Sequence, residues 1–243
     1  STDEFISLGN LTDVATSYAI LGILACGLFV VLISGGIDIS FPAMTAIAQY
    51  AMASWVIGHG GNFALALTIA IAVGLLLGLI NGFLVYWLRV PAIIITIATL
   101  NVYYGLLVYA TKGTWLYGFP DWFMNGINWF SFTAADGYDY GLTLPLLCLA
   151  AVIVFTAVLM NYTRLGRQVY AMGGNRDAAS RLGLNLLKLH FYVYGYMGIL
   201  AGVAAVVQAQ ITQSVAPNSL LGFELTVLAA VVLGGTSLAG GKG

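Results

Sequence analysis

An all-α fold, a polytopic helical membrane protein with discontinuous helices, is predicted by three features of this sequence. Apolar runs of roughly bilayer-spanning length follow one another along the chain, only 7% of residues are charged against 60% hydrophobic, and the basic residues concentrate in one connecting loop. Soluble domains carry about 25% charged and roughly 45–50% apolar residues. No water-soluble core built from 243 residues could hide this much apolar surface. A net charge of −1 has no polyelectrolyte character, which argues against nucleic acid as a partner.

A helix needs about 20 residues to cross a hydrocarbon core of ~30 Å. The runs that approach this length are Tyr18 to Ser34, Phe41 to Ile57, Phe63 to Leu88, Pro91 to Thr111, Leu142 to Met160, Leu189 to Gln208 and Phe223 to Leu238. The first two are short, because Gly35-Gly36 and Asp38 interrupt what would otherwise be one run; the last is shorter still. Such breaks are tolerated at membrane depth only where protein or a water-filled cavity receives the freed backbone groups.

Arg164, Arg167, Arg176, Arg181 and Lys188 place five of the eight basic residues in the loop of about 162–188, which the positive-inside rule assigns to the cytoplasm. Counting crossings back puts Arg89 inside and the loop of about 112–141, with Asp121, Asp136 and Asp139, outside. The opening stretch, with Asp3, Glu4 and Asp13, lacks the composition of a signal peptide and also falls outside. Since that is odd for a natural start, and the sequence stops within the glycine-rich Ala239 to Gly243, truncation at both ends is expected.

Gly74, Gly78 and Gly82 recur every four residues in the third run, as do Gly198 and Gly202 in the sixth, a spacing that lets helix backbones approach closely. Small residues are also simply common in membrane helices. In the external loop, Trp115, Tyr117, Trp122, Phe123, Trp129, Phe130, Tyr138 and Tyr140 suit an interfacial aromatic belt or a surface for an external partner.

Catalytic and metal chemistry find no support. His59 and His190 sit by helix ends on opposite sides of the membrane, so they cannot form a metal site or serve a nucleophile. Cys26 and Cys148 lie within apolar runs and read as small core residues. A phosphate loop ending at Lys242 would need Gly where Thr236 stands and Ser or Thr where Gly243 stands. Energy must therefore come from another subunit or an ion gradient. Intramembrane acids would mark ion coupling, but the apolar runs hold only Glu224, in a first helical turn where the dipole favours an anion. Asp38 precedes Ser40, which with Phe41-Pro42 resembles an N-cap and an early-turn proline. Capping accounts for both acids.

Within the cytoplasmic loop, Asp177 to Leu182 are good helix formers, with Asn175 as a candidate N-cap and Gly183 as a stop. A solvated basic loop would explain the arginines but not this spacing of Asp, Ala, Ala and Gly. The short helix suits a groove on another protein.

The motifs Ser34-Gly35-Gly36-Ile37-Asp38-Ile39-Ser40, Asn81-Gly82, Val90-Pro91, the loop from Gly166-Arg167 to Gly183, and Glu224-Leu225 through Leu233-Gly234-Gly235-Thr236-Ser237-Leu238-Ala239-Gly240-Gly241 occur in that order. In these the chain resembles the permease subunits of bacterial ABC importers of the ribose, xylose, arabinose and autoinducer-2 type. Phe41-Pro42 departs from that family's Val-Gly and leaves the local turn, and its part in gating, open. The resemblance implies one transmembrane permease domain over 1–243 in the bacterial inner (plasma) membrane, without a nucleotide site of its own. It implies that Asp177, Ala178, Ala179, Arg181 and Gly183 couple to a cytoplasmic ATPase, which binds ATP and Mg. Further implied partners are a second permease copy or homologue and an external substrate-binding protein delivering a monosaccharide or similar small polar solute. Gating candidates are Gly35, Gly36, Asp38, Ser40, Glu224, Gly234 and Gly235. Candidates for the translocation path are Gln49, Asn81, Thr96, Thr99, Asn101 and Gln208, each equally able to make an interhelical hydrogen bond. An ATP-independent carrier or channel would need intramembrane charges or a filter, and an intramembrane enzyme a nucleophile with its base; neither is evident.

Overall fold

The computed structural model describes residues 8–125, 128–133 and 139–243. In chain order its helices are α1 (Leu8–Ser17), α2 (Ala19–Ile33), α3 (Phe41–His59), α4 (Phe63–Leu88), α5 (Ala92–Thr111) and the short α6 (Asp121–Met124). An antiparallel hairpin of β1 (Asn128–Thr133) and β2 (Asp139–Thr143) follows within the loop before the next long helix. Beyond it come α7 (Leu144–Tyr162), α8 (Arg164–Gly174), α9 (Arg176–Arg181), α10 (Leu186–Thr212) and α11 (Phe223–Leu233).

Each apolar run has become a helix, because a chain in lipid can satisfy its backbone only by hydrogen bonding within the segment. α4, α5, α7 and α10 are long and apolar enough to cross a membrane, and α1 with α2, bent by 52°, would add a fifth span. Helix ends follow side-chain caps and turns. Asn62, Thr143, Thr163 and Asn185 each accept a backbone N–H at the start of α4, α7, α8 and α10. Gly35 closes α2 with φ +83°, and Gly36 N–H returns to the Val31 carbonyl, a glycine cap that ends the helix at the predicted break. The last run stops earlier than its apolar composition suggests. α11 ends at Leu233, where Gly235 (φ +102°) makes the same kind of turn.

α10 forms the axis of the bundle. Most of its length is buried, and α2, α3 and α4 pack around it. Its contact with α4 is backbone on backbone. A Cβ on Gly74 would collide with the Gly198 carbonyl, one on Gly78 with the Tyr194 carbonyl, and one on Gly82 would stand 2.9 Å from the His190 carbonyl oxygen. On the facing side, a Cβ on Gly202 would stand 2.5 Å from the Ala70 carbonyl oxygen. These positions step by four in opposite directions along two antiparallel helices, so the glycine spacing read from sequence is one continuous seam. α3 is shielded differently: it carries Thr45 and Gln49 among fully buried alanines and methionines, so protein rather than lipid surrounds it.

At the end of the bundle away from the basic loop a second core forms where α6 folds over it. Phe119 and Phe123, 4.5 Å apart and stacked, pack with Met52, Ala66 and Ala209. Gln210 on α10 donates to the Phe123 carbonyl at 2.8 Å, and Leu116 pairs with Val215 through reciprocal backbone bonds. Phe123 is therefore core and not part of an aromatic belt, whereas Trp115 and Tyr117 are exposed as a belt requires. Trp129, Phe130, Tyr138 and Tyr140 lie outside the described side chains.

The seam carries a direct consequence. Gly198→Ala should lower the apparent Tm of the detergent-purified protein or prevent its accumulation, since overpacking costs about 1–3 kcal/mol and a collision with backbone more. Gly105→Ala on α5, where nothing lies within 4 Å, should leave Tm unchanged. Equal melting of the two variants would disprove the seam.

Candidate functional site

The break between α2 and α3 is the polar centre of the molecule. Asp38 is 1% exposed, and its Oδ1 accepts both the Ser40 backbone N–H, at 2.7 Å, and the Ser40 hydroxyl, at 2.6 Å. Asn81 of α4 donates to the Ser40 oxygen at 2.6 Å and accepts from the Tyr103 hydroxyl of α5 at 3.1 Å. Thr96, also on α5, donates to the Ile37 carbonyl at 3.0 Å. The α2–α3 break, α4 and α5 thus meet through a chain of hydrogen bonds, closed to solvent. The Asp38 Oδ2 and the Tyr194 hydroxyl of α10 are buried without a hydrogen-bond partner. The Tyr194 hydroxyl presses on Gly36, where a Cβ would stand 2.6 Å from it.

Several expectations change in detail. Ser40 occupies the N-cap position of α3, but its hydroxyl makes no capping bond; it turns back to Asp38. Asp38 serves the turn through the Ser40 N–H and is also the hub of the network, which capping alone did not anticipate. Phe41 and Pro42 form the first helical turn and are both buried, so the departure from Val-Gly fills the core without breaking α3. Glu224 lies in the first turn of α11 as read, half-buried, with Oε2 lacking a partner. Gly234 and Gly235 are exposed and act as the α11 terminus.

Among the path candidates, Asn81 and Thr96 join the Asp38 network, and Thr99 bonds back to the Thr96 carbonyl. Gln49 is fully buried with neither amide atom hydrogen-bonded. Asn101 is exposed and bonds its own helix at the Ile97 carbonyl, and Gln208 is half-buried; neither reaches the network. Tyr103, Tyr194 and Gln210 were not legible as site residues, since a tyrosine in an apolar run reads as an aromatic filler. The spacing of Tyr103 from Thr96 and Thr99, along one face of α5, was the available signal.

Within the basic loop α9 forms where predicted. The Asn175 side chain accepts the Ala178 N–H at 2.9 Å, and Gly183, with φ +81°, closes the helix as Leu184 N–H bonds the Ala179 carbonyl. Asp177, Ala178, Arg181 and Gly183 are exposed, but Ala179 is 2% exposed and faces the body. Leu182, 79% exposed, shares the outer surface. Preceding α9, the amphipathic α8 buries Gly166, Val169 and Met172 and ends on a junction of glycines. A Cβ on Gly173 would collide with the Ile33 carbonyl, whose oxygen accepts the Gly241 N–H at 2.9 Å. A Cβ on Gly240 would stand 2.7 Å from Gly35 Cα. The helix leading to α9 therefore touches backbone at the α2 terminus, a few residues before Asp38.

His190 bonds the Leu186 carbonyl through Nδ1 at 2.7 Å, and His59 stacks on Trp55. Among the described residues no group of His, Cys, Asp and Glu could hold a metal ion, and both cysteines are free.

A bundle of membrane helices with an interrupted pair buried at its polar centre, and a short capped helix in its basic loop, is the build of a multi-pass transport permease. The comparisons agree: residues 10–241 match the family described as branched-chain amino acid transport system, permease component, and the chain belongs to that family. It is 33% identical over 241 residues to the ribose import permease protein of Escherichia coli K12, covering 99% of this chain and 73% of that protein. It is 32% identical over 240 residues to the autoinducer 2 import system permease protein of Yersinia enterocolitica, 99% of this chain and 64% of that one. The ribose import permease protein of Bacillus subtilis is 32% identical over 240 residues, 99% and 72%. The chain matches no solved structure. It is a multi-pass permease component of the bacterial inner membrane.

Removing Asn81 deletes its two buried hydrogen bonds, although Ser40 keeps Asp38 and the Tyr103 hydroxyl keeps the Leu77 carbonyl. Asn81→Ala should cost about 1–3 kcal/mol of stability, seen as a lowered Tm, while Asn101→Ala should shift Tm little. The reverse order would show that Asn81 is not a structural hub.

Proposed function

We propose that this chain is the membrane-spanning subunit of an importer driven by a separate cytoplasmic ATPase, moving a monosaccharide or a similar small polar solute. The similarity to ribose and autoinducer 2 import permeases supports the solute class. The observation that carries the ATP-driven reading is the geometry of the cytoplasmic helices. α9 offers Asp177, Ala178, Arg181 and Leu182 to a partner, with Gly183 ending the helix, and the helix before it bears on the α2 terminus through Gly173. A push on α9 by closing ATPase subunits would then be delivered to the Asp38 network, since packed backbone transmits strain with little compliance.

In this reading Gly35 and Gly36 supply the turn that moves, and Asp38, Ser40, Asn81 and Thr96 hold one of its states. Glu224 and the Gly234-Gly235 turn flank the corresponding surface of α11. The path would run between this chain and a second permease copy or homologue. An external binding protein supplies the solute, and ATP with Mg binds the ATPase.

The full chain, co-expressed with candidate ATPase subunits and purified, tests the coupling. The wild type should retain an ATPase, and Ala178→Glu with Leu182→Asp should insert normally but lose it, with ATP-dependent uptake of ribose or another monosaccharide into vesicles falling at least tenfold. Retention by both, or by neither, would refute coupling through α9. Ala179→Glu is unsuitable as a probe because Ala179 is buried and its replacement would disturb the fold.

A further inference from the structure

A crevice of about 520 Å³ opens on the side of the bundle between α4, α7 and α10, roofed on the cytoplasmic side by α8. Its walls include Leu75, Leu79, Phe155, Leu159, Val169 and Tyr196, and the volume lies within the range of about 300–1,000 Å³ typical of ligand sites. Phe155 and Tyr192 on its rim are 58% and 54% exposed, so it opens laterally, toward lipid.

The mouth is basic. Leu165 and Gly166 line the crevice at the start of α8, and Arg164 and Arg167 bracket them, both exposed. On α10, Tyr192, Tyr196 and Ile199 line it, and Lys188 lies one turn before Tyr192 on the same face, also exposed. An apolar slot whose lining residues adjoin three exposed cations is complementary in charge to an anionic phospholipid.

A transmembrane helix is the other conceivable occupant, but the crevice offers no glycine seam for one. Gly195, although it lines the slot, is already covered by Leu75 and Leu79, which would stand 3.3 and 3.2 Å from a Cβ there. Gly166 is closed by the Leu159 and Met160 carbonyls. The remaining surface is branched and aromatic, which suits a flexible acyl chain.

We propose that the crevice holds one acyl chain of an anionic phospholipid, with its headgroup between Arg164, Arg167 and Lys188. The lipid would wedge α7 and α8 against α4 and α10.

The test uses the full chain reconstituted in nanodiscs of equal phosphatidylcholine and phosphatidylglycerol, with retained lipid measured by native mass spectrometry. The wild type should retain phosphatidylglycerol in preference. Arg164→Gln, Arg167→Gln and Lys188→Gln together should weaken that retention by about tenfold or more, from ~1 kcal/mol for each charge. Leu159→Trp should displace the lipid by filling the slot. Arg89→Gln with Arg176→Gln, cations elsewhere on the cytoplasmic side, should change nothing. No headgroup preference in the wild type, or an equal loss in the Arg89 and Arg176 variant, would overturn the proposal. So would a photoreactive residue in place of Leu159 that crosslinks to protein, either elsewhere in the chain or in a second copy, in place of lipid.

Discussion

The backbone contact between α4 and α10 is the interaction on which the rest of the molecule depends. In lipid there is no hydrophobic gain from pressing two apolar helices together, so close van der Waals packing and hydrogen bonds must hold them. Gly74, Gly78, Gly82, Gly198 and Gly202 remove the side chains that would keep the axes apart. That approach also sets the polar centre: Asn81 adjoins Gly82 on α4, Tyr194 lies opposite Gly78 on α10, and both thereby reach the α2–α3 break. A wider separation of the two helices would leave Asp38 and Ser40 without their partner in α4.

The break itself shows how an interrupted helix survives at membrane depth. Its free backbone groups are served from several directions: Gly36 N–H by Val31, Ser40 N–H by Asp38, the Ile37 carbonyl by Thr96 and the Ile33 carbonyl by Gly241. Each donor or acceptor comes from protein, as the absence of water in the hydrocarbon region demands. The same arrangement joins the cytoplasmic helices to the polar centre, because the glycine junction at Gly35, Gly173 and Gly240 leaves no side chain to deform between them.

Much of this was legible from spacing. The glycines four apart, the Gly35-Gly36 stop and the Asn175 to Gly183 helix depend on neighbours close in sequence, so periodicity and capping chemistry reveal them. α8 was not separated from its loop, since its apolar face of Gly166, Val169 and Met172 is short and set among arginines. The burial of Ala179 was not legible for a related reason: six residues of helix show no clear face until they dock. Phe123 was read with the belt because aromatic composition does not distinguish a ring at the interface from one folded into a core.

By itself, the sequence determined that this protein is helical, lies in a membrane and crosses it repeatedly. These follow from the solvent each segment must tolerate, a property of local composition. Tertiary structure alone decided which polar residues meet. Asp38 of the α2–α3 break, Asn81 of α4, and Thr96 and Tyr103 of α5 are brought together, while Asn101, two residues from Tyr103, faces outward. The physical reason is that burial of a polar group at membrane depth is acceptable only with a partner, and partners are supplied by how helices pack.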